Sequence, residues 1–502
     1  TLTGSNAVAD ADIALIAGRD LTLEAATETY TETHFKDKKK SGLFSSGGFG
    51  VTIGKQQNST DQDTTGTLAA ASTVGSLGGD VTLLAGEQYR QSGSDVLAPQ
   101  GDIGIAAQAV GIVEAREASR TTVEQKFKQS GLTLAITSPV VTAIQTAQQM
   151  KQAARNTESG RMKALAAATT GLAAYDAGQS IVDSASVTGG VNLVLSIGAS
   201  KSGSKTTQTS DNAAVSTLSA GRDITIVASG AGEESDITLQ GAQIDAARNL
   251  TLSAEDEISL RAAANTADQK SSNKNSSGSI GISIGANTGI TVGASAGRGK
   301  ADGEDLVYTN THVTAGETLT LQSGGDTTLK GAVARGERVV ADIGGDLLIE
   351  SLQDTSRYES KQKSLGGSIT VGVGVSGSVS ASSSKVKSDY ASVTEQTGIR
   401  AGDGGFDVQA GGDTTLMGGA ITSTQQAIDE AKNRFQTGGA LTLTDIENKA
   451  EYKAQGSSIN LGAGKNNEGK LMPQGTSAGF GSDSDDAQSM TLAAISGVAG
   501  NQ

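Results

Sequence analysis

The chain has 502 residues, of which 67 are glycine, 3 are proline and 3% are aromatic, with no tryptophan. It contains no cysteine, which excludes disulfides and thiolate metal sites. The net charge of −15 argues against nucleic acid as a partner, because binding to a phosphate backbone requires clustered cations.

The first predicted element is a short repeat, seen at Gly18-Arg19-Asp20 and followed by the alternating run Leu21-Thr22-Leu23. We expect glycine to allow a turn, aspartate to bond its own backbone two residues on, and the run to form a strand with one buried face. Similar turns precede further alternating runs at Asp80, Asp102, Asp223, Asp236, Asn249, Asp326, Asp346, Asp413 and Gly439. Recurrence at about 20 residues predicts an all-β solenoid, a parallel β-helix in which each repeat forms one turn.

A longer period is superimposed on the turns. Glycine-rich strands open at Gly42, Gly131, Gly278, Gly367 and Gly456, at intervals of 89, 147, 89 and 89 residues. Each is preceded by a polar, charged approach, such as residues 28–40. We therefore predict one solenoid over residues 1–502 with about five repeats, and hairpin arms near residues 41–56, 130–200, 277–297, 366–382 and 456–482.

The arms have a one-sided pattern. From Gly278 to Gly285 isoleucine alternates with glycine or serine, so all apolar side chains fall on one strand face. The nine residues from Gly278 to Ala286 match the 9 to 11 of a membrane strand, which makes the arms candidates for membrane or partner contact. The alternative is that neighbouring arms bury these faces against one another or the rod and open later. The candidate contact residues are Ile280, Ile282, Ile284, Ile290, Val292, Ile369, Val371, Val373, Val375, Leu132, Leu134, Ile136, Leu165 and Leu172.

The longer interval contains a predicted helical insertion over residues 138–179 in the second arm. Ser138-Pro139 suits a helix start, and apolar residues that include Leu165 and Leu172 follow at helical spacing. A break over residues 156–160 makes it a helical hairpin. A weaker helical pattern covers residues 425–435.

No motif predicts catalysis, a cofactor or a metal. Residues 372–377 match a dinucleotide fingerprint by letter, but a strand follows instead of the required helix. Residues 464–470 imitate a phosphate loop, yet Leu471 occupies the position of the magnesium-binding hydroxyl. The two histidines, His34 and His312, lie in different repeats. The chain is therefore predicted not to be an enzyme, and the repeated aspartates are assigned to turns.

Residues 439–454, which include Asp445-Ile446-Glu447-Asn448, together with residues 477–481 and 494–497, carry a family resemblance. The chain resembles the second haemagglutinin-repeat region of filamentous haemagglutinins and contact-dependent growth-inhibition exoproteins of Gram-negative bacteria. The resemblance implies a secreted, cell-surface, right-handed β-helix near the end of a stalk. It also implies an outer-membrane secretion partner of the two-partner system and a C-terminal toxin in the same parent chain.

The resemblance implies a translocation module that contacts the outer membrane or a surface receptor of a target cell and helps to pass the toxin. The chain shows no secretion domain, pretoxin signature or toxin, so it reads as an internal piece of a longer protein. One alternative is an adhesin that binds host glycan or surface protein, with Lys38, Lys39 and Lys40 as contacts. A second is a β-helical polysaccharide-degrading enzyme, which would need clustered carboxylates along one groove.

Overall fold

In a computed structural model the chain winds into a parallel β-helix, which confirms the predicted all-β solenoid. The structure describes residues 1–45, 50–137, 192–285, 288–372, 374–465, 469–473 and 477–497. The strands divide into two bodies of sheet, a parallel rod and an antiparallel sheet built from the arms. The predicted helical insertion over residues 138–179 lies outside the described residues.

The rod has three faces, and nine turns can be traced in the described residues. Face 1 contains Asn6–Ala9, Thr73–Ser76, Asp95–Ala98, Ser216–Ala220, Ala242–Ala246, Thr311–Ala315, the first halves of Ala332–Ile343 and Gly398–Ala410, Ala420–Thr422 and Ala494–Ile495. Face 2 contains Ile13–Ala17, Val81–Ala85, Ile103–Ala107, Ile224–Ala228, Leu250–Ala254, Thr318–Ser323, the second halves of the same two long strands, and Arg434–Thr437. Face 3 contains Leu2–Thr3, Leu21–Glu24, Gln88–Ser92, Ala109–Val113, Ile237–Gln240, Ile258–Arg261, Thr327–Lys330, Leu347–Glu350, Thr414–Met417 and Leu441–Thr444.

The core of the rod is a set of aliphatic stacks. Every second residue of a strand points inward, and parallel pairing in register places like residues above one another. On face 2 one buried stack runs through Leu83, Ile105, Ile226, Leu252, Leu321, Ala341 and Val408. A buried polar exception is Tyr89, whose hydroxyl donates to Gln91 Oε1 at 2.8 Å. Burial raises the pKa of the Tyr89 phenol, which therefore stays neutral.

The corners between faces explain the Gly-x-Asp repeat, though not by the predicted local bond. Most of these aspartates accept from a backbone N–H of the next turn, as when Asp346 Oδ1 accepts from Asp413 N at 2.7 Å. Gly412, which precedes Asp413, leaves room for the Asp346 carboxylate, since a Cβ at Gly412 would lie 2.0 Å from Asp346 Oδ1. The same inter-turn bond joins Asp80 to Asp102 N at 2.9 Å. The repeat therefore encodes contact between turns.

Five arms leave the rod after a face 3 strand and return to face 1. They are arm 1, Ala26–Ser45 and Gly50–Ala70; arm 2, Ala115–Thr137 and Asn192–Ala214; arm 3, Ala263–Gly285 and Gly289–Thr309; arm 4, Asp354–Gly372 and Val375–Ser392; and arm 5, Ile446–Lys465, Leu471–Pro473 and Ser477–Thr491. The strands begin well before the predicted arm boundaries. The polar approaches are themselves paired strand, because a sheet with two open faces tolerates polar residues on both.

The arms join edge to edge into one 11-stranded antiparallel sheet, here called the arm sheet. Two turns of the rod separate successive arms; each of the first four arms adds one hairpin of two strands, and arm 5 adds three strands. Strands lie about 4.8 Å apart in both the rod and the arm sheet, so two turns of the rod have the same height as two strands of the arm sheet. This matched spacing lets neighbouring arms pair along nearly their whole length, as in the 20 residue pairs from Asn192↔Gly285 to Asp211↔Thr266.

The helix predicted over residues 425–435 is longer than the helix in the structure. Only Gln425–Asp429 is an α-helix, started by Thr424, whose side chain accepts from Ala427 N at 3.3 Å. Arg434–Thr437 is a strand that returns the chain to face 2. Across the described parts of the chain, no helix has the length and hydrophobicity needed to cross a membrane.

Candidate functional site

One face of the arm sheet carries aligned rows of apolar side chains. One row lies in register across seven consecutive strands at Leu43, Ile53, Leu132, Ile197, Ile280, Val292 and Ile369. The next row toward the tips contains Val51, Leu134, Leu195, Ile282, Ile290, Val371 and Val375. With Leu193 and Ile284 beyond them, these residues form what we call the apolar band. Cross-strand neighbours of this kind have Cβ atoms about 5 Å apart.

The apolar band is open to solvent. Ile282 is 51% exposed, Ile369 58% and Leu134 45%. The expectation that neighbouring arms bury these faces against one another or the rod is therefore wrong for the described residues. The arms pair through their edges, and edge pairing leaves both faces of a single sheet uncovered.

The structure brings most of the predicted contact residues together in this band. Ile280, Ile282, Ile284, Ile290, Val292, Ile369, Val371, Val375, Leu132 and Leu134 all lie in it. Ile136 pairs with Leu193 through the backbone register. Val373, Leu165 and Leu172 lie outside the described residues. The predicted set omitted Leu43, Val51, Ile53, Leu193, Leu195 and Ile197, which the same alternate spacing would have found.

The opposite face of the arm sheet is rich in threonine and serine. Hydroxyl groups bond across strands, between Thr52 and Thr133 at 2.7 Å, and between Thr291 and Thr370 at 2.7 Å. Ser368 and Ser378 are joined in the same way at 2.9 Å. The arm sheet is thus amphipathic, with an apolar band on one face and hydroxyl ladders on the other.

Other predicted or considered sites are scattered. Lys38 and Lys40 project from the hydroxyl face of arm 1, whereas Lys39 lies on the band face and pairs with Asp37 at 3.2 Å. His312 is bonded to Glu395, with Nε2 to Oε2 at 3.0 Å, and His34 to Glu32 at 2.6 Å. Over the ranges that the structure covers, no three His, Cys, Asp or Glu side chains are grouped as a metal site would require.

Comparison with known proteins gives a consistent result. The Hemagglutinin repeat family matches residues 1–131 and 197–365. A tRNA nuclease CdiA of Escherichia coli strain NC101 is 41% identical over 92% of the chain, and a 16S rRNA endonuclease CdiA of Enterobacter cloacae is 40% identical over 98%. A deoxyribonuclease CdiA of Dickeya dadantii strain 3937 is 37% identical over 92%.

The chain spans only 14% or 15% of the length of these three relatives. No solved structure matches it.

Proposed function

The chain belongs to the hemagglutinin-repeat region of CdiA-type exoproteins, and from that premise we propose that it is a non-catalytic stalk and translocation module. In this proposal the apolar band engages the outer membrane of a neighbouring cell and helps to pass a C-terminal toxin of the parent chain. Proteins of this family are secreted surface exoproteins of Gram-negative bacteria. The observation that carries the proposal is the exposed, in-register apolar band.

The relatives support the non-catalytic part. They are named for cleavage of tRNA, of 16S rRNA and of DNA, yet all three match essentially the same stretch of this chain. A segment shared by proteins with three different named activities is not expected to carry any one of them. It fits a common delivery device, with the activity elsewhere in each parent chain.

The amphipathic arm sheet favours docking with the band face against the membrane surface. Burial of a half-exposed isoleucine or valine in hydrocarbon contributes about 1 kcal/mol, and the band offers many such side chains. The hydroxyl face would lose hydration in hydrocarbon, which opposes a fully immersed sheet. From Ile280 to Ile284 the band is roughly 14 Å deep, less than the hydrocarbon core of about 30 Å.

Sedimentation of the 502-residue chain with phospholipid vesicles tests the proposal. A variant with Ile280→Ser, Ile282→Ser, Ile369→Ser and Val371→Ser removes part of the band. A matched control with Ser277→Ala, Ser295→Ala, Ser364→Ala and Ser382→Ala alters only the opposite face.

We expect the wild type and the serine-to-alanine control to sediment with vesicles, and the band variant to bind at least tenfold more weakly. Circular dichroism checks that both variants keep their β structure. Equal binding by the band variant, or no binding of the wild type to vesicles of any composition, would remove the proposal.

A further inference from the structure

The band face of the arm sheet also carries a concentration of positive charge. Between the apolar band and the rod lies a set of cations on the same face, which we call the basic belt. The belt comprises Lys39, Lys55, Lys126, Lys128, Lys201, Lys205, Lys274, Arg298, Lys300, Lys361, Lys363 and Lys385. Only Asp37, Asp61 and Glu124 share these rows, in a chain whose net charge is −15.

The belt places like charges directly opposite one another. Arg298 pairs in register with Lys274 on one side and with Lys363 on the other. Lys128 likewise faces Lys201 across arm 2. Like charges in such positions destabilise a sheet. The free protein therefore carries repulsion that a bound anion would relieve.

Four of these twelve cations have a carboxylate partner among the described residues. Lys39 pairs with Asp37 at 3.2 Å and Lys126 with Glu124 at 2.9 Å, while Lys361 and Lys385 both contact Glu359, at 2.9 and 3.7 Å. In the part of the chain that the structure describes, no ion pair forms at Lys128, Lys201, Lys274, Arg298 or Lys363, and all five side chains are exposed. These five line a shallow depression of about 1170 Å³ on the arm sheet. The depression is open to solvent, and lysine and arginine side chains line it together with small and apolar residues.

We propose that the basic belt binds the phosphate groups of anionic lipid headgroups while the apolar band enters the bilayer beside them. This inference rests on the proposed membrane role of the band. A lipid surface fits better than a free polyanion because the apolar and cationic zones share one face. They lie four residues apart along a strand at Leu132 and Lys128, about 14 Å. When the sheet docks by its band face with the arm tips tilted into the membrane, that order places the band at the acyl boundary and the belt at the phosphate layer.

The test compares a belt variant, Lys274→Gln with Lys363→Gln, with a control, Lys36→Gln with Lys38→Gln. Both pairs remove two charges from the arm sheet, but Lys36 and Lys38 lie on the opposite face. Binding of the 502-residue chain is measured on vesicles of phosphatidylcholine alone and of phosphatidylcholine mixed with phosphatidylglycerol. Thermal unfolding of each free protein is recorded in parallel.

We expect the wild type to bind the mixed vesicles more tightly than the neutral ones. Each belt charge contributes about fivefold near an anionic surface, so the belt variant, which lacks two charges, should lose about 25-fold on mixed vesicles only. The control should bind as the wild type does. The belt variant lacks Lys274 and Lys363, the two like charges opposite Arg298. Without their repulsion, the free variant should be at least as thermostable as the wild type.

The outcomes separate the two proposals. Equal wild-type binding to neutral and mixed vesicles, or equal loss in the belt and control variants, overturns the belt while leaving the band intact. Absence of binding to both vesicle types overturns the membrane role itself. If soluble polyphosphate binds the wild type more tightly than mixed vesicles and does so through Lys274 and Lys363, the ligand is a free polyanion and the lipid assignment is wrong.

Discussion

The rod and the arm sheet use the same alternation of apolar and small residues but end in opposite environments. Leu321 in the rod is fully buried, whereas Ile282 in arm 3 is 51% exposed. Both sit in regular strands with neighbours in register on each side. The difference lies in the third dimension, because three faces close around the core of the rod and no described layer covers the band.

The comparison shows what a period-two pattern specifies. It fixes which side chains share a face, and it says nothing about what lies against that face. In the rod the covering faces come from the same turn of chain. In the arm sheet a covering surface would have to come from elsewhere, which is the physical basis for the proposal that the arms contact a membrane.

The largest effect we expect separates the two environments directly. Leu321→Ala should lower the free energy of unfolding by about 2–5 kcal/mol, since it leaves a cavity in a closed core. Ile282→Ala should lower it by less than about 1 kcal/mol, because half of that side chain is already in water. Urea unfolding of both variants measures the difference, and vesicle binding should rank them in the reverse order.

Comparable losses of stability in the two variants would contradict the contrast. They would mean that the band is covered in solution, by a second copy of the chain or by another part of it. The molecular mass of the wild type in solution would then distinguish a second copy from an internal cover.

A smaller effect concerns the corners of the rod. Gly412→Ala should cost about 1–3 kcal/mol, because its Cβ would lie 2.0 Å from Asp346 Oδ1 and would displace the carboxylate that accepts from Asp413 N. Gly104→Ala is the matched control, since no atom lies within 4 Å of its added Cβ. The two variants are compared by thermal unfolding. A stable Gly412→Ala protein would show that corner glycines serve the turn alone, as the sequence suggested.

The sequence predicted the solenoid because glycine and aspartate mark most turns, and it predicted most of the band because Ile280 to Ile284 alternate strictly with small residues. It did not predict the inter-turn role of Asp346, since that bond joins residues 67 positions apart. It also missed the belt. Lys274, Arg298 and Lys363 are brought together only by the register between arms 3 and 4, which local pattern does not contain.

The smallest effect concerns charge on the rod. Burial, followed by repulsion from Asp236, Glu233 and Asp326, raises the pKa of the Asp256 carboxyl above its ordinary value of 3.8. The folded protein therefore holds this proton more tightly than the unfolded chain does. The ionised carboxylate destabilises the fold above the raised pKa, and the penalty disappears as pH falls through that pKa toward 3.8.

Asp256→Asn should accordingly raise the melting temperature at pH 7 and have no effect well below pH 3.8, where this carboxyl is protonated in both the folded and the unfolded chain. Solvent screening keeps the gain below about 0.5 kcal/mol. Asp80→Asn is the control with the opposite sign. It keeps an oxygen that accepts from Asp102 N but removes the charge that pairs with Arg222 at 2.5 Å, so it should lower the melting temperature at pH 7. Equal shifts of the melting temperature in the two variants would show that the charge of these rod carboxylates does not affect the stability of the fold.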